Sequence, residues 1–255
     1  MSPLHEAVEG FDRAAEAYER GRPDYPRSAI DLLATRLPIR PGARVVELAS
    51  GTGKLTRALR PTGADLLAVE PTRGMRVVLA RVLPALPVLA ATAEAIPLTD
   101  ACADAVVVGQ AFHWFRAEAA LGEIARVLRP GGALALLWNR RDASVPWMAR
   151  LGELLREHEA KEVPKGRAHA WKPSLAADPR FTPLESAELP YTPRSTPDAF
   201  VDRILSVSYV ALLPDGEKAR LVEEVRALLA DEPTIAGRAE FPVPYRTELF
   251  WTRRR

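Results

Sequence analysis

Apolar and polar positions follow two alternating periods between Gly42 and Asn139. Short apolar runs, ARVVELA, DLLAVE, PVLAA, DAVVVG and ALALLW, are separated by polar turns or by the stretches KLTRALR, RGMRVVLARVL and EAALGEIARVL, whose apolar residues recur at helical spacing. Runs of this kind predict strands buried on both faces, and the stretches between them predict amphipathic helices. The region therefore reads as a parallel sheet covered on either side. RPGG, Arg129 to Gly132, is expected to end the helix before the fifth strand. On the amino-terminal side, FDRAAEAYERGRPDYP is helical in its first half, is broken by Pro23 and Pro26 in its second, and lies outside the sheet. After Asn139 the pattern predicts a helix over about Pro146 to Lys161, an irregular proline-rich stretch to Pro179 and a strand at ESAELPY. A helical block over about Pro197 to Asp231 and a final strand at YRTELFWTR follow. Helices inserted between the last two strands would sit over the carboxyl edge of the sheet. No internal repeat is present.

The junction VVELASGTGKLT joins the first strand to the first helix through Ala49, Ser50, Gly51, Thr52 and Gly53. Such a turn at the carboxyl end of a parallel strand is where open α/β sheets bind ligands, because the backbone approaches closely and the helix start offers free N–H groups. A dinucleotide fingerprint needs a third glycine where Thr56 stands. A phosphate loop needs glycine at Leu48 and a hydroxyl at Leu55. Both readings are weakened, which leaves a turn suited to an uncharged or zwitterionic group, with Glu47 near the end of the first strand. The second strand ends in Glu70, placed either to accept hydrogen bonds from ribose hydroxyls or to lie on the surface as an ordinary carboxylate.

Composition narrows the classes. The chain has 255 residues, 47% of them apolar, a formal net charge of +2 and a pI near 8.8, so nothing electrostatic points to nucleic acid. The Arg253, Arg254, Arg255 tail reads as a solvated terminus. Cys102, the single cysteine, excludes an intrachain disulfide and a cysteine-rich zinc cluster, and fits a reducing, cytoplasmic setting. No leader pattern opens the chain and no stretch reaches the ~18 apolar residues of a membrane span. No metal site is expected, since His5, His113, His158 and His169 lack ligand spacing, and the G-x-S-x-G elbow of a hydrolase is absent.

The series VVELASGTGKLT, LLAVEP, ATAEAIPL, DAVVVGQAFHWF and EIARVLRPGGALALLWN resembles the class I S-adenosylmethionine-dependent methyltransferases, specifically the type 11 methyltransferase domain. The opening FDRAAEAYERGRPDYP and the late LPYTPRSTPDAFVDRILSVSYVALLP resemble a subgroup to which trans-aconitate methyltransferase-like proteins are also similar. The resemblance covers nearly the whole chain. It implies an α/β, Rossmann-like fold with a mostly parallel seven-stranded sheet and an antiparallel last strand. An amino-terminal helical cap would span 1–37 and the core 38–140. Residues 141–255 would complete the same domain, with a helical substrate cap at about 197–231. The implied cofactor is S-adenosyl-L-methionine, released as S-adenosyl-L-homocysteine. Ala49, Ser50, Gly51 and Gly53 would wrap its methionine moiety, with Glu47 beside them. Glu70 and Pro71 would meet the ribose, Met75 the adenine, and Ala93 and Glu94 the adenine edge, while Gln110 would pass below the methionine part. Where Ala49 stands, family members commonly have glycine.

Methyl transfer is an in-line displacement that needs at most one base. His113, just after the fourth strand, is the candidate, either as general base or as a group that only orients the acceptor. Trp114 and Trp138, with Asn139, would wall a small-molecule acceptor pocket. Tyr18, Arg22 and Tyr25 would form a lid, Arg22 pairing with a carboxylate of cofactor or acceptor, and Tyr209 would line the acceptor pocket. Oxygen or carboxyl methylation is favoured. The alternatives are a non-catalytic, regulatory cofactor-binding protein of this fold and a nicotinamide-dependent oxidoreductase. A monomer or homodimer is expected, with no nucleic-acid or membrane partner.

Overall fold

The computed structural model describes residues 15–158 and 169–255. Helices α1 (Ala15–Gly21) and α2 (Arg27–Arg36) precede strand β1 (Arg44–Leu48). Then follow α3 (Lys54–Leu59), β2 (Asp65–Val69), α4 (Arg73–Val82), β3 (Val88–Leu89), β4 (Ala103–Gly109), α5 (Ala117–Val127) and β5 (Leu128–Arg141). Beyond them lie α6 (Pro146–Glu157), α7 (Lys172–Ala176), β6 (Glu185–Tyr191), β7 (Arg194–Ser195), α8 (Pro197–Leu205), α9 (Ser208–Ala211), α10 (Asp215–Asp231), β8 (Phe241–Pro242) and β9 (Tyr245–Arg253). Single 3-10 turns sit at Arg60–Thr62 and Phe112–Trp114.

Seven strands form one sheet in the order β3-β2-β1-β4-β5-β9-β6, mostly parallel with an antiparallel strand. β1 lies inside it, parallel to β2 and to β4, with Val45 opposite Leu66 on one side and Ala105 on the other. Successive side chains leave opposite faces of a strand. Val46, Leu48, Val106, Val108, Leu134 and Leu136 therefore enter one core, which Leu121 and Ile124 of α5 complete. Val45, Ala105, Val107, Ala133, Ala135 and Leu137 enter the other, beneath Ile30 and Leu33 of α2 and Leu55 and Leu59 of α3. Burial on both faces is why these strands read as unbroken apolar runs.

The chain divides into two compact units. Among described residues, one holds 24–139, 169–189 and 247–255, and the other holds 15–23, 140–158 and 190–246. The second has its own core, built from Trp147 and Leu151 of α6, Phe200 and Ile204 of α8, and Leu221 and Val225 of α10. In it Gly21, at the end of α1, meets α8 so closely that an added Cβ would stand 2.1 Å from the Arg203 backbone nitrogen.

Several boundaries differ from the sequence pattern. RPGG does not lie between helix and strand. α5 ends at Val127, and β5 already pairs with β4 at Leu128, opposite Ala103. Pairing resumes at Ala133, opposite Ala105, so RPGG is an irregularity within the strand, with Gly131 left-handed at φ +76°. The block at 197–231 is three helices. Ser206 turns its hydroxyl back onto the Arg203 carbonyl at 2.7 Å, Val207 is extended, and Pro214 precedes α10. The PVLAA run keeps only Val88 and Leu89 as strand, and the proline-rich stretch contains α7. α6 stops at Glu157; residues 159–168, where Lys161 falls, and 1–14, where the first part of the amino-terminal helix and His5 fall, lie outside the described residues. The arginine tail is exposed at Arg253 and Arg255, as expected, yet it is also tied down: Arg254 pairs with Phe181 in a β-bridge and donates to the Leu128 carbonyl, and Arg255 donates to the Phe181 carbonyl at 2.8 Å.

Candidate active site

In the sheet-bearing unit, the ends of β1, β2, β4 and β5 bring the expected turn residues to one edge. After Leu48 the chain turns through Ala49, Gly51 and Gly53, all left-handed, with φ of +52°, +57° and +87°. Gly53 suits this bend, since φ +87° strains any side chain and an added Cβ would stand 2.5 Å from the tip of Leu79. Ser50 is buried and fastens the turn, its hydroxyl donating to the Glu47 carbonyl at 3.0 Å. Thr52 is buried too, and its hydroxyl has no hydrogen-bond partner among the described residues.

Glu70, only 3% exposed, reaches across from β2 and takes the Gly51 N–H at 2.8 Å and the Thr72 N–H at 2.7 Å. Burial raises its pKa above the usual carboxylate range, against the pull of those two N–H groups. Glu47 is buried beside Thr56, whose hydroxyl donates to its carboxylate. Loss of hydration pushes Glu47 up to about 8; the Thr56 bond opposes this and the Glu70 charge adds to it. Pro71 is exposed, while Met75 and Ala93 are buried. Glu94 accepts the Arg116 N–H at 2.9 Å.

At the end of β4, Gln110 is left-handed at φ +62° and its amide donates to the Asn139 carbonyl at 3.3 Å. His113 follows in a 3-10 turn, half-buried, with its ring 4.9 Å from that of Trp114. The Trp138 indole N–H donates to His113 Nδ1 at 3.4 Å. With Nδ1 accepting, the neutral ring carries its proton on Nε2. Trp138 belongs to the core more than to a pocket wall: it is 2% exposed and stacks on Trp171 at 5.3 Å with planes 8° apart. Asn139 is likewise committed inside the protein. Its amide donates to the Asp24 carbonyl at 2.9 Å and accepts from the Thr247 hydroxyl at 2.7 Å. Asp24 also meets Lys54 at 3.4 Å and Arg57 at 3.2 Å, so the PDYP segment is clamped across the strand ends. There Tyr25 packs so closely on Gly109 that an added Cβ would lie 2.4 Å from the phenol oxygen.

Sequence reasoning missed Asp24, Thr56 and Thr72. Asp24 was hidden between prolines, and the threonines were indistinguishable from ordinary helix and turn residues. Among described residues no group of at least three His, Cys, Asp or Glu side chains could hold a metal ion, and no helix is long and apolar enough to cross a membrane.

The other unit carries Tyr18, Arg22 and Tyr209. The Arg22 guanidinium lies 4.9 Å from the centroid of the Tyr18 ring and donates to the Ser206 hydroxyl and carbonyl, each at 2.9 Å. Tyr209 donates to the Leu155 carbonyl at 3.3 Å.

The turn fits a nucleoside cofactor with an amino-acid end: a buried carboxylate at the second strand end, an unsatisfied hydroxyl at Thr52, and no third glycine for a pyrophosphate. Known proteins agree with this geometry. The methyltransferase domain family of type 11 matches residues 46–136. An uncharacterized methyltransferase of Mycobacterium tuberculosis is 41% identical over 237 residues, covering 93% of this chain and 92% of the relative. A methyltransferase-like protein of Schizosaccharomyces pombe is 32% identical, with 91% of each chain covered. The solved structure of a candidate type II methyltransferase from Anaeromyxobacter dehalogenans superposes with a TM-score of 0.67 at 25% identity, over 91% of this chain and 97% of that one. The glycine turn, the acid-ended second strand and these full-length matches lead to one conclusion: the chain belongs to the type 11 methyltransferase domain family of class I methyltransferases.

Proposed function

We propose that the chain transfers the methyl group of S-adenosylmethionine to an oxygen of a small-molecule acceptor. The observation that carries this reading is the left-handed turn from Ala49 to Gly53 bonded to the buried Glu70 carboxylate. When bound, the cofactor supplies an electrophilic methyl carbon on a sulfonium, and its thioether is the leaving group. Glu70 receives the ribose hydroxyls on lone pairs left over from its two backbone bonds, and those new donors favour its charged form. The turn from Ala49 to Gly53, with Glu47 beneath it, holds the amino-acid end. Pro71, Met75, Ala93 and Glu94 line the adenosine, and Gln110 closes the floor. Arg22, Tyr18 and Tyr25 serve as the lid, and Tyr209 as part of the acceptor pocket.

His113 acts as a donor. Its Nδ1 lone pair is engaged by Trp138, so Nε2–H is the face offered to an acceptor oxygen, which it orients without removing a proton. That suits a carboxylate, already deprotonated at neutral pH. Trp138 and Asn139 support the site by holding His113 and the Asp24 segment.

Titration calorimetry tests the cofactor. S-adenosylhomocysteine should bind and NAD should not, and Glu70→Ala should weaken binding roughly 10- to 100-fold, the equivalent of the ~1.5–3 kcal/mol of charge-assisted hydrogen bonds. Methyl transfer is then followed over a panel of hydroxy and carboxylic acids. A folded protein that ignores S-adenosylhomocysteine at millimolar concentration would overturn the reading.

A further inference from the structure

Arg203 is an anomaly. It stands in the amphipathic helix α8, yet it is 8% exposed, and its Nε and Nη1 are buried without a hydrogen-bond partner among the described residues. A guanidinium is an obligate cation with donors in a fixed fork, and burying it with donors unmet is costly unless something supplies the acceptors. Arg22 and Arg141, both within the same compact unit, lie close enough for the Arg203 charge to act on them. Both are half-buried as residues, with burial the main influence on their charged ends. Burial, then Arg203 and Arg141, holds Arg22 down to about 9, while Tyr18 and Tyr245 oppose this. Arg141 is lowered in the same way, by burial first and Arg203 next.

The Arg203 charge is, after burial, the largest influence on both Arg22 and Arg141. The acids adjacent in sequence are committed elsewhere. Asp202 binds Arg20 at 2.6 Å, and Asp142 binds Arg246 at 3.0 Å and the Ser144 hydroxyl at 2.6 Å. Arg22 gives two donors to Ser206, a neutral partner that aligns its fork. Repelling guanidinium groups gathered away from water, one of them with two buried donors unmet among the described residues, make a receptor for planar, multiply charged oxyanions.

We propose that Arg22, Arg141 and Arg203 form the binding site for an acidic small molecule with two or more negative charges, a dicarboxylate or a phosphomonoester. The Tyr18 ring, 4.9 Å from the Arg22 guanidinium, stands beside the same charges. The anion site stands on these residues of one compact unit and does not depend on the methyltransferase reading. Arg22 alone has a competing claim, the carboxylate of the cofactor's own amino-acid end.

The test uses the full chain and calorimetric titration with succinate and inorganic phosphate, with succinamide as the neutral counterpart, in the absence and presence of S-adenosylhomocysteine. Succinate or phosphate should bind and succinamide should not; which of the two binds more tightly distinguishes dicarboxylate from phosphomonoester. Arg203→Met and Arg141→Gln should each weaken the anion at least tenfold while S-adenosylhomocysteine affinity changes less than threefold. Arg203→Met should also melt higher than the parent protein without ligand, because it removes an unmet buried cation. The anion should then raise the melting temperature of the parent protein and not that of the variant. If neither anion binds, or both variants bind it as well as the parent, the proposal is overturned. Loss of S-adenosylhomocysteine binding in both variants, with no anion binding in the parent, would assign the arginines to the cofactor. Anion binding in a protein that ignores S-adenosylhomocysteine would keep the site and remove the methyltransferase reading.

Discussion

Single side chains decide the electrostatics of the turn. Glu47 titrates near 8 in the folded protein against an ordinary value of 4.5. The folded state therefore holds a proton that the unfolded chain has released, and stability falls as pH rises from about 4.5 to about 8, then levels off. Glu47→Gln keeps a partner for Thr56 and removes this dependence, so its melting temperature should gain on the parent's between pH 5 and pH 9. Parallel melting curves across that window would show that Glu47 ionises freely. His113 is the second case. A donor role predicts that His113→Gln, whose amide replaces Nε2–H, keeps kcat within about tenfold, while His113→Leu loses more, mainly in KM; a general base would lose ~10²–10⁴-fold in kcat in both. Steady-state kinetics on the acceptor separates the two. That an acid, Glu70, closes the second strand was legible in the sequence; that it is buried and takes the Gly51 and Thr72 N–H groups was not. The Nδ1 bond from Trp138 was not, because it joins residues far apart in sequence.

At the scale of elements, the strand-to-helix turn stores strain that one substitution relieves. Ala49 is left-handed at φ +52°, which costs an alanine roughly 1–2 kcal/mol and a glycine little. Ala49→Gly should therefore raise the denaturant midpoint, by up to ~1 kcal/mol after the larger unfolded-chain entropy of glycine is subtracted. Gly109→Ala should act in the opposite direction, since its Cβ would stand 2.4 Å from the Tyr25 oxygen and 3.2 Å from Leu55. A loss of about 1–3 kcal/mol is expected for such overpacking, partly recovered by adding Tyr25→Phe. Additive effects in that double-mutant cycle would refute the contact. The strands themselves were readable: β9 falls on YRTELFWTR and β6 on ESAELPY. RPGG misled because proline and glycine end helices and also interrupt strands; only the partner strand β4 shows which occurs here.

Across the whole molecule, the hydrophobic clusters on the two sheet faces belong to one compact unit and the cluster around Trp147 and Phe200 to the other. Separate cores predict separate cooperativity. Calorimetric unfolding should give an enthalpy larger than the van't Hoff value, and S-adenosylhomocysteine should raise the transition of the unit bearing the turn by mass action. One coincident transition by every probe would mean that the units unfold together.

The sequence by itself determined the alternation of strands and helices, the glycine turn and the acid that faces it, because each is local: a period, a left-handed bend, a residue at a strand end. The tertiary structure alone decided which charged residues lose water and which partners they keep. Arg203 looks like any polar residue on an amphipathic helix until α1 packs on α8, and Asn139 looks like a site residue until Asp24 and Thr247 claim its amide. Desolvation and long-range hydrogen bonding depend on neighbours brought from distant sequence, and no local pattern encodes them.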